Sequence, residues 1–376
     1  MPTNRLHDLH AAGQSIWLDY IDRTMLRNGE LTRRIRADAL TGMTSNPTIF
    51  EKALSEGEAY DDQLAAADDG LSSWQLFELV ETDDVRAACD LFREVYTATR
   101  GADGFVSIEV SPGAANNAAA TVEEARRLWT TVDRPNVMIK VPGTDEGAKA
   151  VRTLIAEGIN VNITLLFAVE AHRRVIDAYL DGLEARARVG QVLDHVSSVA
   201  SFFVSRVDTE IDARLDALIA AAPADRRAAL AALKGRSAVA NAKLAYRLFR
   251  EKFSGPRWDA LAASGARLQR PLWASTSTKN PAYRDVMYVE QLIGPDTVDT
   301  LPPATLEAFR DHGVVARTLD ADVAGAERLL AEVGAAGISL RDVTDTLLEK
   351  GLASFQKSFD TLVGGLEKKT RALGRV

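Results

Sequence analysis

The chain has 376 residues, 46% hydrophobic and 26% charged, with a mean hydropathy of -0.10, which is the composition of a globular protein able to bury a large core. A formal net charge of -8 and a pI near 5.3 count against nucleic acid as a partner, so any anion site has to be local. Its single cysteine, Cys89, excludes an intrachain disulfide framework. No apolar run approaches the roughly 18 residues of a membrane span, and the N-terminal stretch lacks an apolar signal core, so a cytoplasmic protein without a membrane partner is expected.

Short β-rich segments alternate with longer helical ones, the pattern of βα units around a parallel sheet. Eight of them stand at residues 15–20, 39–45, 104–110, 136–141, 160–166, 196–203, 270–276 and 296–302. This predicts the α/β class and a (β/α)8 TIM barrel. A doubly wound sheet is disfavoured because no GxGxxG turn follows the first strand. Barrels of this kind commonly exceed about 250 residues as one domain, so a single domain is expected over residues 1–376. Additional helices are expected after strand 2 (47–100), after strand 6 (204–253) and at the C-terminus (about 304–376). The insertion after strand 6 reads as an Ala-rich pair broken near Ala222-Pro223. Beyond Pro303 the chain reads as wholly helical, with Ser339 capping one helix.

In a barrel, catalytic groups come from strand C-terminal ends and the loops that follow. Strand 4, in the run NVMIKVPGTDEG (136–147), ends on Lys140. A buried ammonium is costly, and a lysine held as the neutral amine attacks carbonyls to form Schiff bases. The alternative is a strand lysine whose head snorkels to water. Asp19 ends strand 1 and Glu109 ends strand 3; alternation puts Trp17 with Asp19, Ser107 with Glu109, and Met138 with Lys140. If those faces point inward, two carboxylates and an amine converge on one mouth.

Strand 5 alternates Asn160, Asn162 and Thr164 with Val161, Ile163 and Leu165, which puts a polar face in the lumen. Those groups either satisfy one another or hold a hydroxylated substrate and a catalytic water. The loop Thr44-Ser45-Asn46-Pro47-Thr48 is a turn and helix-cap signature in its own right. Ser201 precedes Arg206 at a helix start, and Ser275-Thr276-Ser277-Thr278-Lys279-Asn280 follows strand 7. Either cation could be a surface charge, or the two could form a phosphate clamp beside helix N-termini. The five histidines form no ligand-like pattern with carboxylates, so no metal is expected, and no GxSxG elbow supports a serine hydrolase.

The segments GMTSNPTIF, VSIEVSP, NVMIKVPGT, GINVNITLLF and Ser201 to Arg206, in this order, resemble the transaldolases of the pentose phosphate pathway in their long actinobacterial-type form. The resemblance extends from about Ile16 to Pro303. It implies a transferase acting on sugar phosphates without a metal or organic cofactor. A dihydroxyacetone unit would pass from sedoheptulose 7-phosphate to glyceraldehyde 3-phosphate, giving erythrose 4-phosphate and fructose 6-phosphate. The family's Schiff-base lysine falls on Lys140, its acid/base aspartate on Asp19, and its water-positioning glutamate and threonine on Glu109 and Thr164. Its substrate-contacting asparagines fall on Asn46 and Asn162, and its serine and phosphate-binding arginine of the sixth unit on Ser201 and Arg206. Many members carry Ser-Phe-Arg-Asn after strand 7, whereas this chain has Ser277-Thr278-Lys279-Asn280. Lys279 is therefore the second phosphate cation by inference, with Ser277 beside it, and the register of Ser275 against Ser277 stays open. Two other readings remain: a fructose 6-phosphate aldolase, whose members are shorter and place a tyrosine where Glu109 stands, and a non-catalytic sugar-phosphate-binding barrel. Both a monomer and a homodimer are compatible with the sequence.

Overall fold

The computed structural model describes residues 4–55, 58–68 and 70–373, so the expected domain limits, residues 1 and 376, lie outside the described residues. Eight parallel strands close into a barrel in chain order. They are β1 (Gln14–Asp19), β2 (Leu40–Thr44), β3 (Phe105–Glu109), β4 (Val137–Pro142), β5 (Val161–Leu166), β6 (Ser198–Phe203), β7 (Gln269–Ala274) and β8 (Thr297–Leu301). All eight expected strands are present, their ends moved by no more than two residues. The one shift that matters is in β4, which continues past Lys140 to Pro142.

Every residue of β2 to β6 is buried, as parallel strands covered by helices on one side and lumen contents on the other should be. Trp17 fills the lumen against β2, where a Cβ on Gly42 would stand 2.5 Å from the indole ring, so only glycine fits there. The indole Nε1 donates to Asp103 Oδ1 at 2.8 Å, Ser15 donates to the other oxygen of Asp103, and Arg270 lies 3.6 Å from the same carboxylate. These bonds plug the amino end of the barrel with satisfied polar groups. Asn160 belongs to this structural class too. Its amide donates to the carbonyls of Pro135 and Val137 and accepts from Ser197 N, so the polar stripe of β5 divides between scaffold and mouth.

The helical insertions are present with more pieces than the sequence suggests. Helices Pro47–Ser55, Asp61–Ala66, Ser73–Leu91 and Arg93–Ala98 follow β2, and Cys89 is wholly buried in the third of them. Within 204–253 stand three helices, Ser205–Ala221, Ala224–Ala231 and Ser237–Lys252, not an Ala-rich pair, and a fourth, Pro256–Ala263, follows before β7. The break at Ala222-Pro223 is as expected. The others fall at Gly235 and Gly255, whose φ values of +69° and +84° end a right-handed helix, and Pro256 starts the next. The region beyond Pro303 holds helices Pro303–His312, Val323–Ala335 and Leu340–Ala372, separated by non-helical residues 313–322, so it is not wholly helical. Ser339 does cap the last helix, accepting from Asp342 N at 3.3 Å.

That last helix, 33 residues long, lies across the carboxyl end of the barrel. Its Phe359 packs on Trp74 and Phe77 with ring centroids 4.9 and 6.4 Å apart, and Thr48 donates to Ser358 at 2.8 Å. Gly351 meets Leu165 so closely that a Cβ would stand 2.9 Å from its Cδ2.

Candidate active site at the carboxyl end of the barrel

Strand register brings the polar strand ends together. Asp19 pairs with Thr44, Glu109 with Lys140, Lys140 with Asn162, and Pro142 with Thr164. The β5–β6 register then shifts between Ile163 and Leu166, and Leu165 adopts φ +59°. This bulge turns Leu165 against Gly351 of the C-terminal helix. Above the strands lies a cavity of about 430 Å³ walled by Asp19, Asn46, Lys140, Thr164, Ser201 and Arg206, and closed by Ser275, Ser277, Lys279 and Phe355. Both serines left open by the sequence reach it.

Lys140 is buried. Its Nζ donates to Glu109 Oε2 and to the carbonyl of Ser45, each at 3.1 Å, and stands 5.9 Å from the centroid of the Phe355 ring. Glu109 and Asn162 lie behind the cavity wall and act on what lines it. The second oxygen of Glu109 and the hydroxyl of Thr164 are buried without a hydrogen-bond partner. Buried polar atoms of this kind call for a polar occupant. Asn162 donates to Ser107 Oγ at 3.0 Å and accepts from Ser201 Oγ at 2.6 Å, which fixes the orientation of its amide.

Both carboxyls are held above their ordinary values, chiefly by burial. For Asp19 the charge of Lys140, a hydrogen bond from Thr44 and the charges of Arg206 and Lys279 oppose the rise. For Glu109, Lys140 opposes it through charge and hydrogen bond, and Asp19 adds to it. Carboxyls displaced in this direction can exchange protons nearer neutrality than free ones do.

At the other end of the cavity Arg206 starts helix Ser205–Ala221 and lies 5.2 Å over the Phe203 ring. Among the described residues its half-buried guanidinium has no carboxylate within ion-pair distance, although burial pulls its pKa down and only Asp19 raises it. Lys279 Nζ is bound to Ser277 Oγ at 2.9 Å. Arg206 at a helix start and Lys279 on the loop after β7, neither with a carboxylate partner among the described residues, place two positive charges where an anion would be attracted. Asn46 caps helix Pro47–Ser55 through its side chain, accepting from Ile49 N at 3.1 Å, and still lines the cavity. Its capping role and a place in the site are thus compatible.

Sequence reasoning missed four participants. Thr44 Oγ1 donates to Asp19 at 2.7 Å and lies 2.7 Å from Thr300 Oγ1. The Ser45 carbonyl holds Lys140, and Phe355 roofs it. Thr44 and Ser45 stand in the loop the sequence singles out, but their bonds to Asp19 and Lys140, and the places of Thr300 and Phe355, follow only from tertiary structure. A larger cleft of about 750 Å³ beside helices Val169–Arg188 and Ser237–Lys252 contains none of the expected site residues.

A (β/α)8 barrel with a buried amine bonded to one carboxyl and sharing a cavity with another, both held above their ordinary values, and with two cations in the same cavity, has the equipment of a Schiff-base aldol enzyme acting on phosphorylated carbonyl compounds. The family model for transaldolase/fructose-6-phosphate aldolase matches residues 16–366, and the chain belongs to that family. It is 45% identical to Transaldolase 2 of Nostoc sp., with both chains covered in full. To the transaldolase of Acidothermus cellulolyticus it is 47% identical, over 99% of this chain and 100% of the relative. To that of Thermobifida fusca it is 48% identical, over 98% of each.

Proposed function

We propose that this chain is a transaldolase, moving a dihydroxyacetone unit from sedoheptulose 7-phosphate to glyceraldehyde 3-phosphate and yielding erythrose 4-phosphate and fructose 6-phosphate. The observation that carries the reading is the buried Lys140, bonded to Glu109 at 3.1 Å and sharing a cavity with Asp19. Lys140 Nζ attacks the C2 ketone and water leaves, giving an iminium. Glu109, with its free oxygen, and Thr164, with its free hydroxyl, carry the protons of those steps through a water. Asp19 takes the C4 hydroxyl proton. The C3–C4 bond breaks, its electron pair passes into the iminium as an enamine, and the aldose phosphate departs. The acceptor aldehyde adds in reverse order, its oxygen receiving the proton from Asp19, and water releases the product from Lys140. Asn46 and Ser201, the latter oriented by Asn162, hold the hydroxyls of the bound unit, while Arg206, Ser277 and Lys279 take the phosphate. Residues 1–376 act as one domain in this reading, since Phe355 of the C-terminal helix completes the site.

Borohydride reduction in the presence of fructose 6-phosphate, followed by peptide mass spectrometry, tests the assignment. A dihydroxyacetone-derived adduct on Lys140 is expected. An unmodified Lys140, or a label on a different lysine, overturns it. Steady release of dihydroxyacetone from fructose 6-phosphate without an acceptor would instead mark an aldolase.

A further inference from the structure

Outside the cavity, two carboxylates stand one turn apart on the helix that carries Arg206. Asp208 is almost fully buried and Asp212 nearly so. Each divides its two oxygens between the same pair of neighbouring segments. Asp208 Oδ1 accepts from Ala238 N at 2.8 Å and Oδ2 from the Tyr288 hydroxyl at 3.0 Å. Asp212 Oδ1 accepts from Gly235 N at 3.0 Å and Oδ2 from the Tyr283 hydroxyl at 2.5 Å. Gly235 and Ala238 flank the start of helix Ser237–Lys252, whose N-cap residue, Arg236, supplies no side-chain cap. Tyr283 and Tyr288 belong to the segment that leaves β7 and contains Lys279.

The same segment is tied at its near end. Ser275, at φ +57°, places its hydroxyl 3.0 Å from that of Ser205, and Thr276 donates to Asp299 at 3.1 Å. Between these ties and Tyr283 the chain carries Ser277 and Lys279. The arrangement therefore clamps both ends of the Lys279 loop, with Ser205, Asp208 and Asp212 fixing it to the Arg206 helix. Burying carboxylates in a helix interface costs desolvation that apolar side chains would avoid. Carboxylates that each accept one hydroxyl and one backbone N–H specify a distance between segments, which apolar packing does not.

We propose that Asp208, Asp212, Tyr283 and Tyr288 are positioning residues that set the separation of Arg206 and Lys279, and so determine selectivity for phosphorylated over unphosphorylated sugars. The inference rests on the proposed phosphate role of Arg206 and Lys279. Tyr283→Phe and Tyr288→Phe each remove one hydroxyl while keeping the ring. Tyr283 is only half-buried, so its variant keeps the test decisive if the Tyr288 variant does not fold. With each variant, KM for fructose 6-phosphate and the inhibition constant of inorganic phosphate should rise together by about five- to tenfold, the worth of one hydrogen bond. kcat, and kcat/KM for transfer from unphosphorylated fructose, should stay within about twofold, well below that hydrogen-bond effect. An unchanged phosphate inhibition constant overturns the proposal, as does an equal loss with fructose and fructose 6-phosphate. Arg206→Ala separates the two levels. If it leaves phosphate inhibition unchanged, the phosphate assignment itself falls and the positioning role with it.

Discussion

Glu109 and Lys140 are register partners on adjacent strands, with Oε2 and Nζ 3.1 Å apart and both side chains more than nine-tenths buried. Removing one partner leaves the other buried and uncompensated, which in such pairs costs about 3–5 kcal/mol. Glu109→Leu should therefore lower stability by that order. Combining it with Lys140→Met should recover most of the loss, because the uncompensated ammonium is gone. Urea unfolding of the two single variants and the double variant gives the coupling. Additive losses would mean that the pair does not interact energetically. For activity, Glu109→Gln should reduce kcat by about 10²-fold or more, as removal of a proton carrier does.

Asp19 and Thr44 make a second pair, joined at 2.7 Å. Asp19→Ala should still give the borohydride-trapped adduct on Lys140 but lose about 10²- to 10⁴-fold in turnover. Full cleavage by this variant would remove Asp19 from the mechanism. The Thr44 hydroxyl favours the ionised carboxylate, so Thr44→Val should raise the Asp19 pKa. In the proposed mechanism Asp19 acts as a base in cleavage, so the acidic limb of the pH–rate profile should move to higher pH in Thr44→Val. A shift to lower pH, or none, contradicts that role.

Phe355 roofs the amine from the C-terminal helix. A roof of this kind keeps water from a bound carbanion equivalent and so favours transfer over release. Phe355→Ala should increase dihydroxyacetone formation from fructose 6-phosphate alone relative to transfer to erythrose 4-phosphate. The ratio of the two rates is the measurement, and an unchanged ratio would assign Phe355 to packing only.

Two buried groups outside the site should shape stability against pH in opposite directions. His172 is fully buried against Phe202, neither ring nitrogen is hydrogen-bonded, and burial pulls its pKa down to about 3. An unfolded histidine titrates near about 6.5, so the unfolded state gains protons that the native state refuses. Stability is lost as pH falls from about 6.5 toward 3. Asp299 behaves conversely. Burial pushes it up to about 8 against the Thr276 hydroxyl, while an unfolded aspartate sits near about 3.9. Its contribution is complete below that unfolded value and is lost as pH rises toward about 8. Unfolding measured across this range should show His172→Leu reducing the acid-side loss. Asp299→Asn, which keeps an acceptor for Thr276, should reduce the alkaline-side loss. A pH-independent difference from the parent for either variant would refute its assignment.

The strands were legible because β-branched and apolar runs between turn residues report backbone conformation locally. The polar groups at strand ends were legible for the same reason, since Asp19, Glu109 and Lys140 interrupt apolar runs where a barrel places its mouth. The extra helix breaks after β6 were harder to see. Gly235 acts through positive φ and an Ala-rich sequence masks it, whereas Gly255, followed by Pro256, falls just beyond the stretch read as the pair. The division of the β5 stripe was not legible either. Asn160, just before β5, and Asn162 within it are two residues apart, yet one serves backbone carbonyls and the other orients Ser201, depending on where each falls along the barrel axis.

By itself, then, the sequence determined the barrel, the order of its units and the residue types that could do carbonyl chemistry, because periodicity and motif are properties of neighbouring residues. Tertiary structure alone decided which of those residues meet. The Lys140–Glu109 bond follows from strand register, the Thr44 bond to Asp19 from the approach of β1 to β2, and the Phe355 roof from a helix more than 200 residues beyond the lysine in the chain. Each is a contact between distant segments, fixed by hydrogen-bond register and core packing, and no local pattern encodes either.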